Sequence, residues 1–541
     1  MDDGNRLLLS GDEAMALAAW HAGVALGAGY PGTPSTEILE GFSKLGGRAQ
    51  WSPNEKVALE VAIGAAFAGA RALAAMKHVG LNVASDPLFT VAYTGVAGAL
   101  VIVSADDPGM HSSQNEQDNR RYAVAAGVPM LEPSDSQEAY DFMLAAFDIS
   151  ERWNTPVLLR ATTRVCHSST VVRPRPRRDT PKAPNFVRDL KARVMVPGYA
   201  RLAHRRLRRK LSDMAAWNED CPLNKIVPGA SSLGIITSGI SFMHAREAAP
   251  EAAVLKLGFT HPLPMRKIAQ FAQSVERCLV IEEGDPFLLD AIRAAGVPVG
   301  GKPEMYRFGE LDVTRVRRIL RADTSPEPAP PQGKPPQLCE ACSYRIVFDS
   351  LRRQNCIVAG DIGCYTLGAL QPFEAMDSCV CMGASLGVGL GLRHVLPPDQ
   401  ARRVVSVIGD STFIHSGISG LVEMAYNPPP DGHVVIILDN STTAMTGHQE
   451  HPGTGRNLNH DPASKIVLED IARSCGIRRV QVIEPRAGSD AFDRVLMEAL
   501  NSRELAVIIA RRPCVLIARK LKEYEQRCPC HEDEESCAPA V

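Results

Sequence analysis

Residues 409–447 read GDSTFIHSGISGLVEMAYNPPPDGHVVIILDNSTTAMTG, and this stretch decides the fold class of the 541-residue chain. The apolar run at 404–408 predicts a short buried strand, and residues 418–426 have the spacing of a helix. The prolines and glycine of 428–432 end that helix, and residues 434–438 predict the next strand. This order of strand, helix and strand predicts an α/β fold with a doubly wound parallel sheet.

Oxygen donors follow both predicted strands. Gly409, Asp410 and Ser411 form a predicted tight turn after the first strand, and Asn440 and Thr442 come after the second. Mg²⁺ prefers octahedral oxygen ligands and commonly shares them with substrate phosphates. Asp410, Asn440 and the carbonyl of Thr442 are therefore candidate ligands of a magnesium ion that holds a diphosphate. The alternative is that both segments are ordinary strand-ending turns, where Asp and Asn are common.

Four of the 14 cysteines have a spacing that indicates a metal site. Cys339 and Cys342 form a CxxC after a proline-rich segment, Cys364 ends the sequence GDIGC, and Cys514 follows the last predicted strand. Four thiolates suit either Zn²⁺ or a [4Fe-4S] cluster, and their spacing does not choose between these. The alternative is two turn cysteines and two buried apolar ones.

Two further motifs lie near the N-terminus. Residues 29–37 read GYPGTPSTE, and residues 54–65 read NEKVALEVAIGA. Taken with the CxxC, the sequence GDIGCYTLG at 360–368, the Gly-Asp motif and the Pro-Cys pair at 513–514, they resemble the 2-oxoacid:ferredoxin oxidoreductases. The resemblance is to the indolepyruvate branch of that family, and it implies an enzyme that depends on thiamine diphosphate.

The resemblance also implies roles for the residues of the C-terminal motifs. Mg²⁺ and the diphosphate of the cofactor would be bound by Gly409, Asp410, Ser411, Asn440 and Thr442. Met382 would be an apolar prop beneath the cofactor, although a methionine of the core is the commoner case. A [4Fe-4S] cluster near the thiazolium ring would be held by Cys339, Cys342, Cys364 and Cys514.

In the N-terminal motifs, the resemblance places Thr33 towards the substrate and cofactor and Glu55 beside the aminopyrimidine. Thiamine chemistry needs a buried carboxylate there, because it relays the proton that the aminopyrimidine removes from the thiazolium carbon. Glu60 is the alternative, because a predicted helix start carries an error of a few residues. Either glutamate could instead be a solvated residue in the first turns of a helix.

A polar loop at 104–120 follows a predicted strand at 99–103. The resemblance to the indolepyruvate branch makes part of this loop a candidate substrate-binding segment, and a solvated loop is the equal alternative. The candidate substrate contacts are His111, Ser112, Ser113 and Gln114.

The chain is long enough for about three domains. The fold class predicted is α/β with three doubly wound domains, two of the thiamine diphosphate-binding type and one like the transketolase C-terminal domain. The predicted boundaries are 1–195 for the pyrimidine-binding domain, 196–228 for a basic linker and helix, 229–323 for the transketolase C-terminal-like domain, 324–338 for a proline-rich linker, 339–520 for the diphosphate-binding domain with the cysteines, and 521–541 for an acidic tail with further cysteines.

Charge and cysteine usage restrict the partners and the compartment. The chain has 59 basic and 61 acidic residues, a net charge of −2, which gives no indication of a nucleic-acid partner. The absence of a secretory signal and of a membrane-spanning apolar run predicts a cytoplasmic protein with reduced thiols. The tail cysteines are too few and wrongly spaced for the two-cluster ferredoxin domain that usually ends such subunits, so we expect that domain to be missing.

The resemblance implies oxidative decarboxylation of an aryl pyruvate, with coenzyme A as the acyl acceptor. It further implies a smaller beta subunit, a dimer of heterodimers, and ferredoxin or another redox protein as electron acceptor. The first alternative is a non-oxidative thiamine diphosphate-dependent decarboxylase or carboligase, which needs no cluster. The second is a subunit that binds the cofactor and has lost turnover.

Overall fold

The computed structural model describes residues 6–177, 183–328 and 333–527. The chain divides into two compact units, Met1–Ala329 and Pro330–Val541, and the division falls inside the predicted linker of 324–338. No helix within the described ranges is both long and apolar enough to cross a bilayer.

The first unit is built on a seven-stranded sheet. Its strands are parallel except for the antiparallel pair at one edge, β12 and β6. The central strand β5 is buried along its whole length, as expected for a parallel strand covered by helices on both faces. In sheet order the strands are β12 (Phe259–His261), β6 (Met130–Leu131), β7 (Val157–Thr162), β5 (Ala99–Asp106), β4 (Arg71–Lys77), β2 (Leu26–Gly29) and β3 (Ala49–Trp51).

Ten helices and a two-stranded antiparallel sheet surround this sheet in the described part of the unit. The strands β1 (Leu7–Ser10) and β8 (Ser169–Val172) pair antiparallel, so the beginning and the end of residues 7–172 lie side by side. The helices are α1 (Gly11–His21), α2 (Thr36–Lys44), α3 (Glu55–Phe67), α4 (His78–Val83), α5 (Ser85–Thr94), α6 (Arg120–Ala126), α7 (Ser136–Trp153), α8 (Thr163–His167), α9 (Leu190–Arg193) and α10 (Pro197–Asn218).

A second, four-stranded sheet completes the first unit. One buried apolar core contains residues of both sheets, such as Ile102 of the first and Val280 of the second. The strands, in sheet order, are β13 (Cys278–Ile281), β10 (Ala230–Ser238), β11 (Ala252–Leu257) and β9 (Lys225–Val227). The accompanying helices are α11 (Ser241–Ala248), α12 (Met265–Gln273), α13 (Leu288–Ala294), a 3₁₀ turn (Glu304–Arg307) and α14 (Val313–Leu320).

The second unit contains a six-stranded sheet in which every pairing is parallel. The strands, in sheet order, are β15 (Ser378–Cys379), β14 (Ile357–Gly360), β16 (Val404–Gly409), β17 (His433–Asp439), β19 (Leu505–Arg511) and β18 (Arg479–Ile483). The helices are α15 (Tyr344–Arg353), α16 (Ala384–Val395), α17 (Pro398–Ala401), α18 (Asp410–Thr412), α19 (Ile418–Tyr426), α20 (Leu468–Ser474), α21 (Ala491–Ser502) and α22 (Ala518–Arg527), with 3₁₀ turns at Cys364–Ala369 and Ala444–Thr446. The α/β class with parallel sheets is thus confirmed.

Several local predictions were wrong. Helical structure begins directly at Asp410 and passes through a π-helical turn, Phe413–Gly417, before α19, so no tight turn separates strand and helix. A glycine-rich helix, α16, begins at Ala384, after residues 378–379 have paired with β14 as a strand. The predicted tail begins inside α22, and its residues 528–541, with Cys528, Cys530 and Cys537, lie outside the described residues.

One face of the basic helix α10 is buried against the rest of the first unit, and the other face is exposed to solvent. Leu207 is buried and belongs to the core, whereas Leu202 is exposed. Gly127 lies against this helix, since a Cβ atom there would be 3.1 Å from the Leu207 side chain. The arginine-rich face of α10 is therefore the solvated face of a packed helix.

A buried ion pair links α7 to β11 and generates a stability prediction. Lys256 of β11 is fully buried and pairs with Glu138 of α7, which also accepts hydrogen bonds from Ser134 and Lys225. Burial lowers the pKa of Lys256 and the Glu138 carboxylate opposes that shift. Glu138→Gln should destabilise the first unit by about 3 kcal/mol, because it leaves a buried ammonium without its carboxylate.

The matched variant Lys256→Met should cost less, since Glu138 keeps its bonds from Ser134 and Lys225. Differential scanning calorimetry of both variants measures the difference. Equal losses, or a larger loss for Lys256→Met, would contradict this account of the pair.

Candidate functional site

The carboxyl ends of β16 and β17 are joined by Asp410. One oxygen of its carboxylate accepts from the Ser411 backbone N–H at 2.8 Å, and the other accepts from the Ser441 N–H at 2.9 Å. The residue is 3% exposed. The Nε2 of His451 lies 3.3 Å from the same Oδ2. The Asp410 carboxylate of the sequence motif is therefore buried and held between the ends of two adjacent strands.

Asn440 and Thr442 lie on the loop that follows β17. The Asn440 side-chain oxygen accepts from the Thr442 N–H at 3.1 Å, and both residues are buried. The Ser411 and Thr443 hydroxyls are 2.9 Å apart, which ties this loop to the start of α18. Carboxylate, amide and carbonyl oxygens on one loop pair form a donor set that fits Mg²⁺.

A second carboxylate at this edge, Asp439, forms an ion pair with an arginine side chain. Asp439 is paired with Arg511 at 2.6 Å, and Arg511 also pairs with Glu469 at 2.7 Å. Burial raises the pKa of Asp439 and so does the nearby Asp410, while Arg511 lowers it. Because Arg511 compensates Asp439, a divalent cation at this edge would be held through Asp410. The motif indicated neither Arg511 nor Glu469, which come from β19 and α20.

The four predicted cysteines line one cavity of about 110 Å³. Cys339 and Cys342 belong to one turn, since the Cys342 N–H donates to the Cys339 carbonyl at 3.0 Å. Cys364 begins a 3₁₀ turn, and Cys514 follows β19. The rest of the wall is largely apolar and includes Leu338, Tyr344, Leu367, Pro513 and Leu516.

These thiols are electrostatically coupled. Burial, and after it the neighbouring Cys514, Cys342 and Cys339, raise the pKa of Cys364 to about 11. Burial and Cys339 likewise raise the pKa of Cys514. Four thiolates at this spot would repel one another, so the arrangement fits a cationic metal centre that favours the ionised form.

The cysteine cavity and the oxygen donors share a wall. The Cys514 backbone N–H donates to the Asn440 carbonyl at 2.9 Å, and Asn440 itself lines the cavity. This contact follows from the register of β17 with β19, which pairs Asp439 with Arg511. A metal centre on the cysteines and a cofactor at Asp410 would therefore be neighbours within one unit.

Asp361 of the GDIGC sequence has a structural role that the sequence did not reveal. Its buried carboxylate accepts from the backbone N–H groups of Gly383 and Ser385 at 2.9 and 3.0 Å, at the start of α16. Gly383 has a φ of +86°, which favours glycine. Met382, the predicted cofactor prop, immediately precedes this start and is partly buried.

In the first unit, Thr33 and Glu55 both follow strands that end at the same edge of the seven-stranded sheet. Thr33 lies on the loop after β2, and Glu55 opens α3 directly after the neighbouring strand β3. Glu55 is 4% exposed, and a Cβ atom on Gly80 would stand 2.6 Å from its Oε1, so the glycine makes room for the carboxylate. Glu60, in contrast, is exposed and pairs with Lys56.

Lys77 ends β4 beside these residues, and no sequence motif had indicated it. A Cβ atom on Gly32 would lie 3.2 Å from the Lys77 side chain, and the Lys77 ammonium donates to the Ser112 carbonyl at 3.1 Å. Burial lowers the pKa of Lys77, while Asp107 and Glu55 raise it. Lys77 thus connects the Thr33 loop, Glu55 and the predicted substrate loop electrostatically.

The predicted substrate loop is organised around Asp107. Its carboxylate accepts from the backbone of His111 and Ser112 and from the Ser113 hydroxyl, at 3.2, 2.9 and 2.7 Å. Burial works against ionisation, but these bonds and one from Thr163 hold the pKa of Asp107 below its usual value. Gln114 is exposed, and the His111 ring lies 3.4 Å from Glu310. The loop is therefore held in one conformation by a residue that the sequence analysis did not single out.

Two family models match parts of the chain that include Thr33, Glu55, Asp410 and Asn440. Residues 17–196 match the model described as "Pyruvate flavodoxin/ferredoxin oxidoreductase, thiamine diP-bdg", and residues 361–510 match "Thiamine pyrophosphate enzyme, C-terminal TPP binding domain". A solved 2-oxoglutarate:ferredoxin oxidoreductase from Magnetococcus marinus has a TM-score of 0.50 and 16% identity, and the match covers 59% of this chain and 65% of that one. This likeness shows the fold alone.

Curated relatives match over nearly the whole chain. The indolepyruvate oxidoreductase subunit IorA of Archaeoglobus fulgidus is 40% identical, and the match covers 99% of this chain and 90% of the relative. The subunit of that name from Methanothermobacter marburgensis is 41% identical with the same coverage. This chain therefore belongs to the family of indolepyruvate oxidoreductase IorA subunits, thiamine diphosphate-dependent oxidoreductases of 2-oxo acids.

Proposed function

We propose that this chain catalyses the oxidative decarboxylation of aryl pyruvates of the indolepyruvate and phenylpyruvate type. One 2-oxo acid and one coenzyme A thiol give an aryl-acetyl-CoA, carbon dioxide, one proton and two electrons. The electrons leave singly through a [4Fe-4S] cluster to ferredoxin or another redox protein. The observation that carries the proposal is the hydrogen bond between Cys514 and Asn440, because it makes a thiol-lined cavity adjoin the magnesium-type donor set.

The chain's own residues would hold both cofactors. Asp410, Asn440 and the Thr442 carbonyl bind Mg²⁺, and the backbone around Gly409 and Ser411 faces the diphosphate. Thiamine diphosphate, when bound, supplies the electron sink that makes loss of carbon dioxide feasible. Glu55 holds a proton at its carboxyl group and returns it during turnover, for which its burial suits it better than the exposure of Glu60.

A cluster fits the cysteines better than zinc does. Tetrahedral Zn²⁺ with Zn–S bonds of 2.3 Å brings its thiolates to about 3.8 Å from one another. Among the residues that the structure describes, no three of these thiols come within 4.8 Å of one another. Their wider spacing around an apolar cavity supports a larger, cubane-type centre on Cys339, Cys342, Cys364 and Cys514.

The substrate would bind at the edge of the first unit that carries Thr33. Lys77 is a suitable cation for the carboxylate of a 2-oxo acid, because it lies against this loop at Gly32. The loop with His111, Ser112, Ser113 and Gln114 would then contact the aryl side chain. The names of the IorA relatives favour an indole side chain over a methyl group.

The proposal includes the domain organisation and the partners. Residues 1–195 act as the pyrimidine-binding domain, 229–323 as the transketolase C-terminal-like domain, and 339–520 as the diphosphate-binding domain. The chain pairs with a smaller beta subunit, as a dimer of heterodimers in the cytoplasm, and a ferredoxin collects the electrons. The designation of the relatives as subunits supports a partner chain.

The direct test is anaerobic co-expression with the beta-subunit candidate, followed by assays with indolepyruvate, phenylpyruvate, 4-hydroxyphenylpyruvate, pyruvate and 2-oxoglutarate. Dye reduction should require coenzyme A, and mass spectrometry should detect the aryl-acetyl-CoA. Carbon dioxide release without dye reduction would favour the non-oxidative decarboxylase instead. A preference for pyruvate or 2-oxoglutarate would refute the aryl substrate class while leaving the reaction type intact.

Glu55→Gln should lower kcat by at least ~100-fold, since general acid–base groups of this kind contribute about that much or more. Binding of thiamine diphosphate should persist, because Asp410 and Asn440 are untouched. Glu60→Gln on the same helix is the matched control and should retain near-normal kcat, since it is an exposed residue paired with Lys56. A large loss of kcat in Glu60→Gln with near-normal kcat in Glu55→Gln would instead identify Glu60 as the activating carboxylate.

Cys364→Ala and Cys514→Ala should each abolish or severely reduce cluster binding. Iron content and visible absorbance of anaerobically purified protein measure this, and thiamine diphosphate binding provides a test of folding. Cys475→Ala, which removes a partly buried thiol after α20, is the control and should keep full iron. Unchanged iron in both cysteine variants would contradict the assignment of the cluster ligands.

A further inference from the structure

Three side chains with metal-ligating atoms meet outside the site described above. Asp12 lies in the first turn of α1, Glu37 in the first turn of α2, and His167 is the last residue of α8. One ligand atom from each lies within 4.8 Å of the other two, and no other group of three or more His, Cys, Asp or Glu within the described residues meets that distance.

The close packing of α1 on α8 creates this cluster. A Cβ atom on Gly11 would lie only 2.1 Å from the Val165 carbonyl oxygen, so glycine permits the approach of the two backbones. That approach brings Asp12 towards Cys166 and His167. The contact between α1 and α2 adds Glu37. The proximity of the three side chains therefore follows from the packing of the helix backbones and not from side-chain conformation alone.

The burial and the hydrogen bonding of Asp12 point to a bound ligand. It is 1% exposed, and neither of its carboxylate oxygens has a hydrogen-bond partner of regular geometry in the described residues. Burial raises its pKa well above the usual value, contact with the Cys166 thiol lowers it, and the charge of Glu37 raises it. A buried carboxylate whose neighbours are a thiol and a second carboxyl group is costly to ionise, and a bound cation would remove that cost.

We propose that Asp12, Glu37 and His167 bind a divalent transition-metal cation of the Zn²⁺ type. Two carboxylates and a neutral imidazole balance the charge of a dication, and the mixed oxygen and nitrogen donors suit Zn²⁺ better than Mg²⁺ or Ca²⁺. Glu37 and His167 are exposed, which gives the ion a path from solvent and leaves room for a water ligand. The ion would tie the starts of α1 and α2 to the end of α8.

This proposal does not depend on the proposed function, and its test does not use activity. The untagged full chain, purified anaerobically with its iron content measured, is incubated with Zn²⁺, desalted and analysed for zinc. The wild type should retain one equivalent more than Glu37→Gln or His167→Gln at equal iron content. Both substitutions are at exposed positions, so the variants should fold.

Glu40→Gln, one turn further along α2, makes the same charge change and is the matched control. It should retain the zinc of the wild type. With free Zn²⁺ at a hundredfold excess over its Kd, the melting temperature of the wild type should rise by about 5 °C, and that of the Glu37 and His167 variants should not change.

Asp12→Asn tests the buried ligand separately. Without zinc its melting temperature should equal or exceed that of the wild type, because a buried carboxyl group is removed, and added zinc should no longer raise it. Equal zinc content in the wild type and the Glu37 and His167 variants, or an equal thermal shift in them, would overturn the proposal and leave Asp12 as a protonated buried acid.

Discussion

The parallel pairing of β17 with β19 is the constraint on which the rest of the second unit depends. It aligns Asp439 with Arg511 and lets the Cys514 N–H donate to the Asn440 carbonyl. Both strands are apolar and buried, so their register is fixed by packing on both faces. The loops beyond them have little freedom to separate, and the thiol cavity and the oxygen donors are neighbours for that reason.

A second constraint at the carboxyl ends of these strands is buried charge. Arg511 compensates Asp439, whereas Asp410 has only neutral backbone donors and the His451 ring close by. The thiols raise one another's pKa in a largely apolar cavity. Under the proposed function, bound cations would compensate the Asp410 carboxylate and the ionised thiols.

The sequence predicted those features that depend on short segments. The strand ends at Gly409 and Asp439 follow from apolar runs. The buried position of Glu55 was expected from the family resemblance, which left Glu60 as the alternative. The convergence of Cys339, Cys342, Cys364 and Cys514 on one cavity was expected only from the family resemblance, because spacing alone left zinc, a cluster and ordinary cysteines open.

Features that depend on tertiary contacts escaped the sequence analysis. Arg511, Lys77 and Asp107 matter because distant elements meet them, and an isolated Lys or Asp at a strand end has no distinctive pattern. The tight turn expected at Asp410 was wrong because α18 begins there directly after β16 and continues through the π-helical turn into α19. Glycines such as Gly80 and Gly11 are explained only by the atoms that a Cβ would meet.

The most direct test of the central claim, that the magnesium-type site and the cysteine site adjoin, is magnetic. Mn²⁺ would replace Mg²⁺ together with thiamine diphosphate in anaerobic protein, and the reduced cluster would be observed by low-temperature electron paramagnetic resonance. The account predicts that Mn²⁺ broadens the cluster signal and speeds its relaxation relative to Mg²⁺. Identical cluster signals with the two ions, at full occupancy of both sites, would contradict it.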